Sequence, residues 1–244
     1  MSQSDVISTT QIIKKIPTLI SHLPHMLRGI RITNNTNKKK VVGLGLCFEK
    51  AVKKNPQGLA ILYQDRAIKY QQLNNWSNQI AHYLLSKGMK KGDCVAILIE
   101  NRPELLATAF ACAKIGVVSA MLNTSQKGKV LTHSINLVNP KFIMAGEECL
   151  NAYEDIRQNT NIKNENHLYL ADLDTLNSDY QAPPGWLNLS QEISSHSIEN
   201  PKQTQNIFSE DPCFYLYTSG TTGLPKAVVF NHGRFMKVYG SFGV

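Results

Sequence analysis

The middle of the sequence alternates between short apolar runs and amphipathic segments, and this alternation is the strongest constraint on the fold. The runs at residues 94–99, 117–122 and 142–145 are apolar except for Ser119, as expected of strands buried on both faces. Segments with helical periodicity follow these runs, and Pro103 and Gly116 mark the start and the end of one helix. The pattern predicts an α/β fold with a mostly parallel sheet flanked by helices.

Similar signals predict further elements within this region and on either side of it. Helical periodicity predicts four more helices, at residues 44–54, 70–87, 126–137 and 147–157. Alternating or apolar residues predict strands at residues 59–63, 67–69 and 213–217. Residues 171–212 are instead rich in Asp, Asn, Ser and Pro, which predicts a long polar connection with little regular structure.

Residues 11–32 combine apolar side chains at helical spacing with Lys, His and Arg between them. Pro17 and Pro24 within this segment predict short, kinked helical pieces instead of one helix. The segment suits an anionic membrane surface, or alternatively a helix packed on the main domain. With the polar linker 34–40, it divides the sequence into a basic N-terminal segment, residues 1–40, and a main domain, residues 41–244.

The net charge of +8 is confined to the N-terminus, because residues 1–54 hold ten basic and two acidic residues. Residues 55–244 hold sixteen of each sign, so this part of the main domain has no net charge and lacks the basic face that nucleic-acid binding requires. No secretory signal or membrane span is evident, and the five dispersed cysteines predict reduced thiols, no metal site and a cytoplasmic protein. Cys94 and Cys112 lie in apolar runs and are expected to be buried.

The predicted strand at 213–217 leads into a segment, Thr-Ser-Gly-Thr-Thr-Gly-Leu-Pro-Lys, whose composition suits a phosphate group. Two glycines allow the backbone to present N–H groups to an anion, four hydroxyl groups can donate hydrogen bonds, and a lysine adds positive charge. The spacing differs from that of a Walker A loop, and the alternative is a simple Ser/Thr/Gly turn. The candidate phosphate-binding residues are Thr218, Ser219, Gly220, Thr221, Thr222, Gly223 and Lys226.

The segment YTSGTTGLPKAVVFNH at residues 217–232 closely resembles the phosphate-binding signature of the acyl-adenylate-forming (AMP-binding) superfamily. This superfamily includes acyl-CoA synthetases, luciferases and peptide-synthetase adenylation domains. Residues 69–104 are similar to another family segment, with KYQQLN, KGD, VAI and NRPE in the family order. The resemblance extends over residues 41–244. Within the superfamily, residues 123–124, 131–135 and 215–217 resemble the fatty acid transport protein branch of long- and very-long-chain acyl-CoA synthetases.

The resemblance implies a partial N-terminal domain of an enzyme that activates a long-chain fatty acid with Mg-ATP and transfers it to coenzyme A. In the family, the carboxylate attacks the α-phosphate, pyrophosphate leaves, and the coenzyme A thiol then displaces AMP. The candidate residues above would hold the β- and γ-phosphates, and ATP, Mg²⁺ and coenzyme A would be the cofactors. For His232, a structural role is expected, and a contact with the substrate is the alternative.

The family's adenine-binding segment, its magnesium-binding glutamate and its adenylation lysine have no counterpart in residues 1–244. We therefore assign no catalytic residue, and expect this chain alone neither to adenylate nor to form thioesters. We also expect an exposed sheet edge that favours self-association. Two alternatives stay open, namely an adenylating enzyme for another carboxylic acid and a non-catalytic protein that binds nucleotide or membrane.

Overall fold

The computed structural model describes residues 9–33, 37–171, 181–219 and 223–242. The chain divides into two compact units. The first, here called the terminal unit, combines Met1–Asn37 with Arg234–Val244, and the second, the sheet unit, is Lys38–Gly233. Helix α1 (Thr9–Thr33) belongs to the terminal unit.

The sheet unit alternates strands and helices along almost its whole length. In chain order its elements are α2 (Leu44–Lys54), β1 (Leu59–Tyr63), β2 (Arg66–Lys69), α3 (Tyr70–Ser86), β3 (Cys94–Leu98), α4 (Pro103–Ile115), β4 (Val118–Met121), α5 (Gly128–Val138), β5 (Phe142–Gly146), α6 (Leu150–Glu154), β6 (His167–Leu170), β7 (Leu187–Asn188), α7 (Leu189–Glu192), β8 (Pro212–Thr218) and β9 (Lys226–Asn231). Helix α8 (His232–Phe242) starts in this unit and continues into the terminal unit.

Seven strands form one sheet in the order β7-β6-β5-β3-β4-β8-β9. Every neighbouring pair is parallel except β8 and β9, which form an antiparallel hairpin. Strands β1 and β2 form a separate two-stranded sheet. The predicted α/β architecture with a mostly parallel sheet is confirmed.

The two faces of the sheet carry different helices because successive side chains of a strand point to opposite sides. Val95 and Ile97 of β3 belong to the core formed with α2, α3 and α4. Ala96 and Leu98 of the same strand belong to the second core, formed with α5 and α6. Strands β3 and β5 are buried throughout, which explains their continuous apolar sequences.

The best-predicted elements are those with strong local signals. Helix α4 starts with Pro103 as its first residue, and it ends at Gly116, which adopts a φ of +71°. A β-carbon at Gly116 would lie 2.7 Å from Ile207 Cδ1, so the limited space favours glycine here in addition to the backbone conformation. The predicted bounds of α2, β1 and α4 are confirmed to the residue.

Two predictions about irregular regions were wrong. The predicted helix at 147–157 consists of a 3₁₀ turn (Glu147–Cys149), the short α6 and a second 3₁₀ turn (Arg157–Asn159). Residues 181–212 are more ordered than predicted, with β7, α7 and a 3₁₀ helix at Lys202–Asn206. This order follows from burial of apolar anchors such as Trp186 and Ile207. Residues 172–180 of the predicted connection lie outside the described residues.

The prediction of separate helical pieces at residues 11–32 was also wrong, because α1 is one 25-residue helix that contains Pro17 and Pro24. Both prolines are exposed, so water can hydrate the carbonyl groups that lose their helical partners. None of the described helices is both long enough and apolar enough to cross a membrane.

Candidate phosphate-binding site

The β8–β9 hairpin places the candidate loop at the carboxyl edge of the sheet. Strand β8 runs parallel to β4, so its last residue, Thr218, and the following Ser219 lie at the edge where β3, β4 and β5 also end. Ligands of open α/β sheets bind in crevices at this edge. The loop therefore lies where the fold favours a ligand.

Strand β9 returns the chain to the point where β8 ends. Thr218 pairs with Lys226 across the hairpin, so a hydroxyl group and an ammonium group lie on adjacent strands. Thr218, Ser219, Gly223 and Lys226 are all exposed. The exposed hydroxyl and ammonium groups can reach an anion from solvent.

The rest of the predicted loop is only partly described. Gly223 has a φ of +84°, and a β-carbon there would meet no atom within 4 Å, so its conformation and not lack of space favours glycine. Gly220, Thr221 and Thr222, which were also predicted to bind phosphate, lie outside the described residues.

Helix α5 contacts both sides of the hairpin. The Tyr217 hydroxyl group donates a hydrogen bond to the Ser134 carbonyl oxygen over 2.8 Å. His133 Nε2 lies 3.0 Å from the Pro225 carbonyl oxygen. A groove of about 640 Å³ lies beside this contact and is lined mainly by apolar residues of α5, the two strands and the loop between them. Sequence reasoning did not identify either hydrogen bond.

His232 follows β9 and is fully buried. Its Nδ1 accepts a hydrogen bond from the Leu44 backbone N–H over 3.2 Å, at the first turn of α2. Burial lowers the pKa of His232 to about 4, although Asp211 opposes this shift, so the imidazole is neutral near pH 7. These contacts support the expected structural role.

A buried ionic cluster lies at the same edge of the sheet, next to the ends of β5 and β6. Arg102 pairs with Glu104 over 3.0 Å and with Glu148 over 3.3 Å. Its guanidinium group also donates hydrogen bonds to the carbonyl oxygens of Leu170 and Ala171. Arg102 thus joins the loops after β3, β5 and β6. Its burial and its partners were not evident in the sequence.

Two of the predictions concern the cysteine thiols and the arrangement of possible metal ligands. Among the described residues, no group of three or more His, Cys, Asp or Glu side chains is arranged to hold a metal ion. Cys94 and Cys112 are buried, as predicted. Burial raises the pKa of both thiols to about 12, so they stay protonated and unreactive near neutral pH.

The hairpin, its contacts with α5 and the Arg102 cluster all lie within a match to a known family. A family model of AMP-binding enzymes matches residues 48–243, which is most of the chain. The chain therefore belongs to the AMP-binding enzyme family, and the predicted resemblance is confirmed.

The curated relatives of this family member include fatty acid ligases and transport proteins. The chain is 25% identical over 229 residues to the medium/long-chain-fatty-acid–CoA ligase FadD6 of Mycobacterium tuberculosis, covering 94% of this chain and 36% of that protein. It is 32% identical over 200 residues to the long-chain fatty acid transport protein 6 of Mus musculus, covering 81% and 30% respectively. The chain thus spans about a third of the length of these relatives.

A solved structure supports the fold independently. The anthranilate CoA ligase AuaEII in complex with anthranoyl-AMP matches 80% of this chain and 36% of its own, with a TM-score of 0.71 and 22% sequence identity. This likeness extends to the backbone arrangement of the sheet and its helices.

Proposed function

We propose that the β8–β9 hairpin binds the β- and γ-phosphates of ATP, and that the protein activates a long-chain fatty acid to an acyl-adenylate and then to acyl-CoA. The pairing of Thr218 with Lys226 at the carboxyl edge of the sheet, inside the family match, is the observation that carries this proposal. The candidate ligands are those of the sequence prediction: Thr218, Ser219, Gly220, Thr221, Thr222, Gly223 and Lys226.

The described part of the site suits a nucleotide polyphosphate. The exposed Lys226 can neutralise phosphate charge, and the hydroxyl groups of Thr218 and Ser219 can donate hydrogen bonds. Mg²⁺ commonly binds through substrate phosphates with few protein ligands, so we propose that it enters the site with ATP. When bound, the metal ion would neutralise charge on the transferred group, and coenzyme A would supply the thiol for the second step.

The first prediction concerns Lys226. We expect Lys226→Met to weaken Mg-ATP binding by roughly tenfold or more, because a hydrogen bond to a charged group contributes about 1.5–3 kcal/mol. Isothermal titration calorimetry on the purified chain measures this change. The control is Lys163→Met, which removes an exposed lysine elsewhere on the sheet unit. A parent protein that binds no Mg-ATP would rule out the proposed site.

The fatty acid is the substrate that the names of the relatives favour, since they include fatty acid ligases and long-chain fatty acid transport proteins. Another carboxylic acid is the alternative, and comparison of acids in ATP–pyrophosphate exchange distinguishes the two. We propose that residues 1–244 alone catalyse no exchange, because the adenylation lysine expected from the resemblance is not among them. Fatty-acid-dependent exchange by this chain would contradict that proposal.

We also propose that residues 1–40 form a basic amphipathic segment that binds an anionic membrane surface, and that residues 41–244 form the AMP-binding domain of a cytoplasmic protein. Five apolar side chains of α1 are spaced alternately by four and three residues, and their exposed fractions range from 43% to 62%. They are Ile16, Ile20, Leu23, Leu27 and Ile30. This spacing places them on one face of the helix. Residues 9–33 include four Lys or Arg residues and no acidic residue, which complements anionic lipid.

The second prediction tests this membrane surface. We expect the chain to co-sediment with vesicles that contain phosphatidylserine, and Ile20→Glu with Leu27→Glu to abolish this binding, because charge on the apolar face opposes insertion. Leu62→Glu is the matched control, since Leu62 is 69% exposed but lies on β1. Equal binding of the parent protein to neutral and anionic vesicles would contradict the charge contribution.

A further inference from the structure

Both sides of the candidate phosphate loop are held by adjacent residues of one helix. On the β8 side, the Tyr217 hydroxyl group donates to the Ser134 carbonyl oxygen. On the β9 side, His133 Nε2 lies within hydrogen-bonding distance of the Pro225 carbonyl oxygen, and Pro225 is buried. Since His133 and Ser134 are consecutive, one turn of α5 contacts the residue just before the loop, Tyr217, and the second-last residue of the loop, Pro225.

The chemistry of both hydrogen bonds is well defined. The Pro225 carbonyl oxygen can only accept, so His133 Nε2 must carry the hydrogen atom. Burial raises the pKa of Tyr217, which keeps its hydroxyl group protonated and therefore able to donate. Both side chains thus act as donors to backbone carbonyl groups.

Helix α5 provides a rigid support for these contacts. Leu131 and Ile135 of α5 are fully buried in the core on its face of the sheet. The Ser134 hydroxyl oxygen also lies 2.8 Å from Gln126 Oε1 and 3.0 Å from the Val130 carbonyl oxygen, and its one hydrogen atom can be donated to either acceptor. Because this packing fixes α5, the contacts of α5 with Tyr217 and Pro225 restrict the motion of the hairpin.

Each contact lies one residue away from a candidate phosphate ligand. Tyr217 precedes Thr218, and Pro225 precedes Lys226. We propose that His133 is a positioning residue which, together with Tyr217, fixes the spacing of Thr218 and Lys226 before a phosphate group binds. This inference rests on the proposed function. It adds to that function a pair of residues that touch no phosphate and act by pre-organising those that do.

The experiment uses four variants of the chain. His133→Phe removes the donor but keeps a ring, His133→Gln retains an amide donor, and Tyr217→Phe removes only the hydroxyl group. The matched control is His82→Phe, because His82 Nε2 makes a comparable contact of 2.8 Å with the Glu199 carbonyl oxygen. His82 lies on α3, which packs on the opposite face of the sheet from α5.

Three quantities are measured for each variant, namely the unfolding midpoint, the hydrogen–deuterium exchange of residues 217–228 without ligand, and the dissociation constant for Mg-ATP. We expect His133→Phe and Tyr217→Phe to speed exchange in this segment and to weaken Mg-ATP binding roughly three- to tenfold, the effect of one neutral hydrogen bond. His133→Gln should restore most of the affinity. His82→Phe should change neither the exchange nor the affinity, even where it lowers the unfolding midpoint.

Two results would overturn the inference, and they differ in what they say about the proposed function. If the parent protein binds Mg-ATP and His133→Phe binds it equally well, the positioning role is wrong while the phosphate site stands. If the parent protein binds no Mg-ATP, the proposed site is wrong and the positioning role falls with it. If His82→Phe loses as much affinity for Mg-ATP as His133→Phe does, a general loss of stability explains the effect. The positioning role is then wrong, while the phosphate site stands.

Discussion

Arg102 and His232 show how single buried polar side chains join segments that are distant in the sequence. Arg102 connects the start of α4 to the ends of β5 and β6. Burial alone would lower the pKa of Arg102, but Glu104 and Glu148 raise it, so the guanidinium group stays charged. A buried ion pair with good hydrogen bonds holds its partners in one arrangement even where its net contribution to stability is small.

The third prediction concerns acid sensitivity due to His232. Its pKa is about 4 in the folded protein against 6.5 for an ordinary histidine, so between these values the unfolded chain binds more protons. The free energy of unfolding should therefore fall by up to about 3 kcal/mol as the pH drops from 6.5 to 4. We expect this pH dependence to be weaker in His232→Asn, measured by urea unfolding across the range. An unchanged pH dependence in the variant would assign the acid sensitivity to other groups.

At the scale of secondary structure elements, Lys114 holds the helical layer on the α3 side together. This fully buried lysine of α4 donates hydrogen bonds to Asn74 and Asn78 of α3 at 2.6 Å, and to Asn200 at 3.0 Å. Its ammonium group also lies 3.4 Å from Glu49 of α2. Three helices and the connection after α7 therefore meet at one charge.

The fourth prediction is that Lys114→Met lowers the free energy of unfolding by about 3–5 kcal/mol, because it leaves buried polar partners without a donor. The control is Lys141→Met, which should cost less than about 1 kcal/mol because Lys141 is 52% exposed in its ion pair with Asp93. Chemical unfolding at pH 7 measures both changes.

The difference in stability between the parent protein and Lys114→Met should depend on pH. Burial lowers the pKa of Lys114 to about 8 from 10.5, so the unfolded chain binds more protons between these values. The stability of the parent protein should therefore rise relative to Lys114→Met as the pH increases from 8 to 10.5. A constant difference between the two proteins over this range would contradict the shifted pKa.

The elements differ in how far the sequence predicts them, and the reason is the range of the interactions that form them. Pro103 and Gly116 act through their own backbone angles, so the bounds of α4 were predictable. Strand β6 was not predicted, since it has only four residues and includes His167, which is buried by its partner Tyr153. Burial of Trp186 and Ile207 likewise depends on distant residues, which local patterns do not reveal.

In the candidate site, too, the local sequence features were predictable and the long-range contacts were not. Its glycine, hydroxyl and lysine residues are contiguous, so the sequence predicted which residues to consider, and the structure places Thr218 opposite Lys226. The contacts of His133 and Tyr217 were not predictable, because their partners are backbone carbonyl groups, which every residue has. Only the fold determines which carbonyl group a side chain reaches.

At the scale of the whole molecule, the hairpin forms one edge of the seven-stranded sheet. Strand β9 pairs with β8 on one side, and within the described residues no strand pairs with its other side. Val228 and Val229 of β9 are 39% and 52% exposed. An exposed apolar edge of this kind favours pairing with another chain.

The fifth prediction is that the purified chain self-associates in a concentration-dependent manner, and that Val229→Lys reduces this association, because an edge charge opposes strand pairing. Light scattering over a concentration series measures both effects. Ile198→Lys is the control, since Ile198 is 49% exposed but lies away from the sheet edge. A monomeric parent protein at all concentrations would refute the role of this edge.

The position of β8 in the sheet has a consequence for the order of folding. Strand β8 pairs with β4, for example Ser119 with Phe214, although the intervening chain contributes β5, β6 and β7 on the other side of β3. Closure of so long a loop is entropically costly, so we expect the earlier strands to associate first, leaving one side of β4 open during synthesis. The hairpin then docks last, and the proposed nucleotide site appears only when that late step is complete.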